Sequence, residues 1–183
     1  MFTEHTIESA PAASRRFMEA TARPRGYVPA AVARLASSPH LLEGFLKLSG
    51  LFEATTLDAV AREVVILTMA TRNRCQVCVA MHTAKLIQLG APADVIDALR
   101  AAEALPDPGL EAVRLFTLAV LADAGRVEDE ALQAFLAQGF TPQNALEVVL
   151  GIGTYTMSTL ANRLTDAPLD PALEPYAWVS PAA

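Results

Sequence analysis

Apolar residues recur at three- and four-residue intervals along almost the whole of this 183-residue chain, the spacing that lays one face of a helix against a core. Leu57, Val60, Ala61, Val64, Val65 and Thr68 form one such stripe; Ala112, Leu115, Phe116, Ala119 and Val120 form another. The run from Val64 to Thr68 has strand propensity, but it lies inside the first stripe. Neither an alternating run nor an Asn-Gly hairpin signal supports a sheet. The pattern predicts seven to nine helices, no strands, and a compact all-α fold.

Breaks in the pattern are sharply marked. Gly90 followed by Pro92 ends one helix and starts the next, and the prolines and Gly109 between 105 and 109 divide the chain. Thr141-Pro142 reads as a cap followed by proline at the first helical position. The segments on either side of 105–109 align with Gly90 on Gly139, 49 residues apart. Each reads as an amphipathic helix, a second helix ending in glycine and a proline-started third, so two related helical halves are expected to pack as one core. The second half has no cysteine or histidine, which places the expected chemistry in the first. Before this core, short helices are punctuated by Pro29 and Pro39. After it, Pro168, Pro171, Pro175 and Pro181 prevent a long helix, while Tyr176 and Trp178 suit docking. The organisation expected is an N-terminal helical extension over 1–28, a helical domain over 29–166 and a proline-rich docking tail over 167–183.

Composition narrows the function. Apolar residues make up 52% and charged residues 19%, with a mean hydropathy of +0.31, so some apolar surface is expected to be buried between copies of the chain. A net charge of −6 argues against nucleic acid as a partner, because phosphate binding needs a basic face. The first residues have acidic groups where a leader has basic ones, and no apolar run approaches the ~20 residues of a membrane helix. A cytoplasmic protein with no membrane association is expected. In that compartment a close cysteine pair points to redox chemistry or metal binding rather than a structural disulfide.

The two cysteines and one of the three histidines fall within eight residues, Cys75 to His82. On a helix Cys75, Cys78 and His82 share a stripe. Thiols at i and i+3 come within disulfide reach, and an imidazole four residues beyond Cys78 is its surface neighbour. Asn73 reads as the N-cap, which would put both sulfurs at the positive end of the helix dipole, where thiolates are favoured. The dipole favours Cys75 and the imidazole favours Cys78. A specific base outweighs a diffuse dipole, so Cys78 is the expected nucleophile and Cys75 the resolving thiol. Glu63, flanked by Val64 to Leu67, needs a partner if buried and can meet His82 if the two helices fold back on each other. A zinc site built from Cys75, Cys78, His82 and Glu63 is the metal alternative, although three ligands on barely two helical turns strain a tetrahedron. His5 and His40 have no neighbour of this kind, Met69 and Met81 read as packing, and Tyr155 and Thr156 read as core.

Glu63, twelve residues, the pair Cys75-Gln-Val-Cys78, three residues and then His82, with Leu86 to Gly90 following, resembles the alkylhydroperoxidase D-like branch of the carboxymuconolactone decarboxylase family. The resemblance runs from about Pro29 to Arg163, and the ending is similar to the longer peroxidase-related members. It implies an all-helical fold, homo-oligomers such as trimers or hexamers, and thiol peroxidase activity. By the resemblance Cys78 attacks the peroxide, Cys75 resolves it, and Glu63 with His82 relays protons. Some peroxidase members have a second histidine just before the attacking cysteine; here that residue is Val77. The expected partners are a small hydroperoxide and a dithiol reductant, and no flavin, haem or metal cofactor is required. A non-redox decarboxylase-like enzyme on the same scaffold is the other reading, and it does not depend on a cysteine pair.

Overall fold

The computed structural model describes residues 2–180, and among these there are nine α-helices and no strand. They are α1 (Ala12–Ala22), α2 (Ala30–Leu35), α3 (Pro39–Glu53), α4 (Ala59–Arg72), α5 (Gln76–Gln88), α6 (Ala93–Ala101), α7 (Pro108–Ala122), α8 (Asp129–Ala137) and α9 (Pro142–Leu164), followed by a 3-10 turn at Pro171–Tyr176. The caps explain several boundaries. Ser38, Asp58, Asp107 and Thr141 each accept a backbone N–H from the first turn of the helix they precede. Thr141 and Asn144 close a reciprocal capping box, with Pro142 at the first helical position.

Helix α4 is the centre of the molecule. It is buried at Ala61 and at every position from Glu63 to Thr71, the pattern of a helix enclosed on all sides. Helices α5, α7 and α9 surround it. The approach of α9 to α3 and α4 requires Gly151: a Cβ there would lie 2.6 Å from Phe52 Cζ and 3.0 Å from a Val65 methyl. Phe116, Phe135 and Phe140 stack in succession at centroid spacings of 4.5 Å and fasten α8 to α7.

The order of elements repeats, α4–α5–α6 and then α7–α8–α9, and Gly90 (φ 72°) and Gly139 (φ 90°) take the same left-handed conformation after the second helix of each set. The third members differ, at 9 and 23 residues. The α7 stripe is one position out from expectation. Leu115 is 52% exposed, and Val113, Phe116, Thr117 and Val120 are the buried set. Helix α7 is apolar enough for two overlapping stripes, and packing against α4 and α8 selects between them.

Both ends are docked. Met18 of α1 is buried with Leu35 and Leu42, and Ser14 Oγ donates to Ala36 O at 2.8 Å. Asp170 Oδ1 accepts from Ala30 N at the start of α2. Trp178 Nε1 donates to Arg100 O, while the Arg100 guanidinium donates to the carbonyls of Tyr176 and Ala177. The tail therefore packs on its own domain, beside α5 and α6. Residues 181–183, including Pro181, lie outside the described residues. No helix among the described residues is long and apolar enough to cross a membrane.

Candidate active site

The break between α4 and α5 sets the sulfurs in place. Asn73 is the C-cap of α4 rather than the N-cap of α5, and its side-chain amide donates to Thr159 Oγ1 at 2.8 Å. Arg74 turns the chain in the left-handed region at φ 53°, a conformation that costs a non-glycine residue about 1–2 kcal/mol. Cys75 is the N-cap residue that precedes α5, and Cys78 follows in the first turn. Both thiols are free and buried, 1% and 3% exposed. Their Sγ atoms lie 2.8 Å apart and share a hydrogen bond.

That contact dominates the acidity of the pair. The Cys75 thiol is drawn down to about 7, first by its hydrogen bond with Cys78; burial opposes this, and the Cys78 backbone N–H, the Asn162 amide and His82 assist. Cys78 is pushed well above the ordinary thiol range by the same contact, by burial and by charge on Cys75, with Asn162 and Ser158 pulling the other way. Sulfurs this close titrate together: the pair holds one proton between them and has one thiolate near neutrality. The sequence expectation rested on a base beside Cys78. The structure gives a different source of acidity, because no hydrogen bond joins His82 to either sulfur among the described residues.

His82 instead has Glu63. Its Nδ1 is 2.7 Å from Glu63 Oε2, with both side chains largely buried. The edge of the ring meets Tyr155 with centroids 5.3 Å apart. The Tyr155 hydroxyl lies 3.3 Å from Ser49 Oγ, and burial first of all, with nearby carboxylates assisting, raises its pKa to about 12. The chain folds back between α4 and α5 so that Glu63, Cys75, Cys78 and His82 converge, while His5 and His40 lie elsewhere. Among the described residues no group of three or more His, Cys, Asp and Glu side chains is arranged to hold a metal ion.

Helix α9 supplies three further groups to the site, Tyr155, Ser158 and Asn162, of which the sequence marks only Tyr155, as core. Asn162 Nδ2 donates to Cys78 Sγ at 3.3 Å, Ser158 acts on the same sulfur, and Tyr155 backs His82. Asn162 is only 5% exposed, and its Oδ1 has no partner among the described residues. Tyr155, Ser158 and Asn162 share one face of α9 at i, i+3 and i+7, but the helix has seven other polar or charged residues and the spacing alone does not single these three out. The second half of the chain therefore contributes to the site without a cysteine or histidine of its own.

The sulfurs open onto two different cavities. Cys78, with Glu63, His82, Tyr155 and Ser158, lines a cavity of about 550 Å³ whose other walls include Val32, Leu35, Phe45, Leu46 and Met81. Cys75 lines a second of about 330 Å³, with Arg74, Gln76, Val77, Arg163, Asp166 and Ala167. Asn162 is common to both.

Residues 39–123, which contain Glu63, both cysteines and His82, match the carboxymuconolactone decarboxylase family. The family segment spans α3 to α7, so α9 and its Asn162 lie outside it. A search of curated proteins finds no significant relative. Among solved structures, the fold is similar to an alkylhydroperoxidase AhpD core, a peroxidase-related protein from Ralstonia eutropha JMP134, at TM-score 0.83 and 19% identity over 94% of this chain and 93% of that one. A peroxidase-related protein from Silicibacter sp. TM1040 gives TM-score 0.75 and 17% identity over 89% and 87%. A Cys-to-Ala variant of the debrominase Bmp8 in complex with 2,3,4-tribromopyrrole gives 0.74 and 13% over 96% and 95%. The carboxymuconolactone decarboxylase segment thus sits in an all-helical, AhpD-like fold.

Proposed function

We infer that this protein is a two-cysteine thiol peroxidase that reduces an organic hydroperoxide in the larger cavity. The observation that carries the reading is the buried sulfur pair opening through Cys78 onto a cavity with one apolar wall, Val32, Leu35, Phe45, Leu46 and Met81, and with the Glu63–His82 pair on the wall of the same space. Cys75, the more acidic sulfur, takes the Cys78 proton across their short contact. Asn162 N–H and Ser158 stabilise the Cys78 thiolate so formed. That thiolate attacks one oxygen of the hydroperoxide; the O–O bond breaks, Cys78 becomes a sulfenic acid, and the alkoxide leaves. His82, oriented by Glu63, supplies the proton that converts alkoxide to alcohol. Cys75, now holding a proton, attacks the Cys78 sulfur; the sulfenic oxygen leaves with that proton as water, and a disulfide forms. Two thiols and one hydroperoxide thus give one disulfide, one alcohol and one water. A dithiol resets the pair by exchange. Val77, which takes the place of a second relay histidine, lines the Cys75 cavity and leaves His82 the only histidine at the site.

The debrominase likeness favours a second reading in which the same thiolate takes a halogen instead of an oxygen. A halogenated aromatic would lose halide, gain a proton and leave the same disulfide. Stopped-flow mixing of the reduced protein with cumene hydroperoxide or a bromopyrrole separates the two. The peroxidase reading expects fast disulfide formation with the peroxide and no bromide release. Bromide release with an inert peroxide would replace it.

We also infer that copies associate through the outward edge of α9, where Leu146, Val149, Leu160 and Leu164 are exposed at helical spacing.

A further inference from the structure

Each sulfur of the pair has its own opening. Cys78 faces the larger cavity and not the smaller; Cys75 faces the smaller and not the larger. A path from the smaller cavity reaches Cys75 first and Cys78 behind it. This is the order thiol–disulfide exchange needs, because the incoming sulfur, the attacked sulfur and the departing sulfur lie in one line.

The two spaces also differ in chemistry. The Cys75 cavity is lined by Arg74, Gln76, Arg163 and Asp166 beside the start of α5, whose first-turn N–H groups lack intrahelical acceptors. Among the described residues, the side chains of Arg74, Arg163 and Asp166 make no hydrogen bond or ion pair. Two guanidiniums against one carboxylate give this mouth a positive excess on a chain of net charge −6. Arg74 is held there by a left-handed backbone that a glycine would adopt without cost. Asn162, buried and with Oδ1 unpartnered, also lines this cavity, while its amide N–H reaches the sulfur on the far side.

We propose that the Cys75 cavity is an exchange port separate from the peroxide cavity, through which a small anionic dithiol resets the disulfide by attacking Cys75. The proposal rests on the reading of the pair as the redox centre. The incoming thiolate forms a bond to Cys75 Sγ, the Cys75–Cys78 bond breaks, and its electron pair leaves on Cys78. Asn162 N–H receives that charge as it forms. The second thiol of the donor then attacks its own sulfur in the mixed disulfide, releasing Cys75. The dithiol departs as a cyclic disulfide, and the proton of its second thiol stays on the protein pair, which is left as one thiol and one thiolate.

The test uses protein oxidised with diamide, so its outcome does not depend on peroxide chemistry. Oxidised protein is mixed with 2-mercaptoethanesulfonate, quenched with N-ethylmaleimide and mapped by peptide mass spectrometry. The port places the sulfonate adduct on Cys75 and the maleimide on Cys78. The reverse labelling, or equal labelling of both, overturns it. Reduction rates are then compared for an anionic dithiol, 2,3-dimercaptopropanesulfonate, and neutral dithiothreitol. In the Arg74→Glu/Arg163→Glu variant the anionic-to-neutral rate ratio falls about tenfold or more, the neutral donor controlling for misfolding. An unchanged ratio removes the charge selection and the ligand class with it. Failure of peroxide to oxidise the reduced protein would sink the peroxidase reading and leave the labelling result standing.

Discussion

At the scale of single residues, the question is what stabilises charge on a sulfur that burial and a neighbouring thiol both disfavour. Asn162 is the main answer: its amide N–H points at Cys78 and is positioned to follow the charge there. A hydrogen bond to a charged group contributes about 1.5–3 kcal/mol, which corresponds to about tenfold or more in thiolate population. Asn162→Asp replaces that donor with an acceptor of the same shape. The rate of iodoacetamide alkylation at pH 7 is expected to fall about tenfold, with its rising limb moving up from the onset near 7 set by the pair. The sign follows from the thiolate being the reactive form and from the lowered pKa of the pair: reactivity is present above that onset and lost below it. An unchanged pH profile in a folded Asn162→Asp protein would mean the amide only packs. Glu63, Cys75, Cys78 and His82 were legible because nineteen residues bring them together across one helical turn-back. Asn162 was not, because 84 residues separate it from Cys78 and nothing local marks an asparagine near a helix end as a sulfur ligand. Asn73 misled for a local reason: it has cap chemistry, but it ends α4, and the left-handed Arg74 leaves Cys75 as the N-cap residue of α5.

Among the elements, α9 holds the site from behind, and its seating depends on two residues. Gly151 lets α9 reach Phe52 and Val65. Because Phe52 is fully buried and cannot swing aside, Gly151→Ala is expected to lower the unfolding free energy by about 1–3 kcal/mol, measured by urea denaturation. Glu147 fixes the lead-in to α4. Its carboxylate accepts from Thr56 N, Thr56 Oγ1, Leu57 N, Gln143 and Asn144. Burial alone would raise its pKa, but these donors hold it at about 2 against an ordinary 4.5. A folded-state value below the unfolded one gives stability that is complete above about 4.5 and is lost as pH falls toward 2. Glu147→Gln should therefore be less stable at pH 7 and have a shallower loss than wild type between pH 4.5 and 2. Parallel pH curves for the two proteins would contradict this. The helices themselves were readable from periodicity and caps. The α7 register was not, because an apolar stripe read alone does not say which neighbour it faces.

For the molecule as a whole, the folding of both ends onto the domain completes the larger cavity: Ala20 and Thr21 of α1 and Leu173 of the tail line it together with residues of α3, α5 and α9. The apolar excess of the composition has two destinations, the enclosed α4 and the outward edge of α9, where Leu146 is 73% exposed. If copies meet on that edge, Leu146→Asp/Leu160→Asp should reduce the mass measured by light scattering to that of one chain while helical content is retained. An unaltered mass would move the contact elsewhere. Size, charge and the halves were visible in the sequence; the two separate openings were not, since they depend on how α5 and α9 face each other.

The central claim is that Cys78 and Cys75 act as one redox unit toward a hydroperoxide, and counting thiols tests it most directly. Reduced protein is treated with one equivalent of cumene hydroperoxide, its remaining thiols are titrated, and the peptides are mapped. The account predicts loss of both thiols, a Cys75–Cys78 disulfide, and a Cys78→Ser protein whose remaining thiol survives. Two thiols still titrating in the wild-type protein, or a Cys78→Ser protein oxidised as fast as wild type, would contradict it.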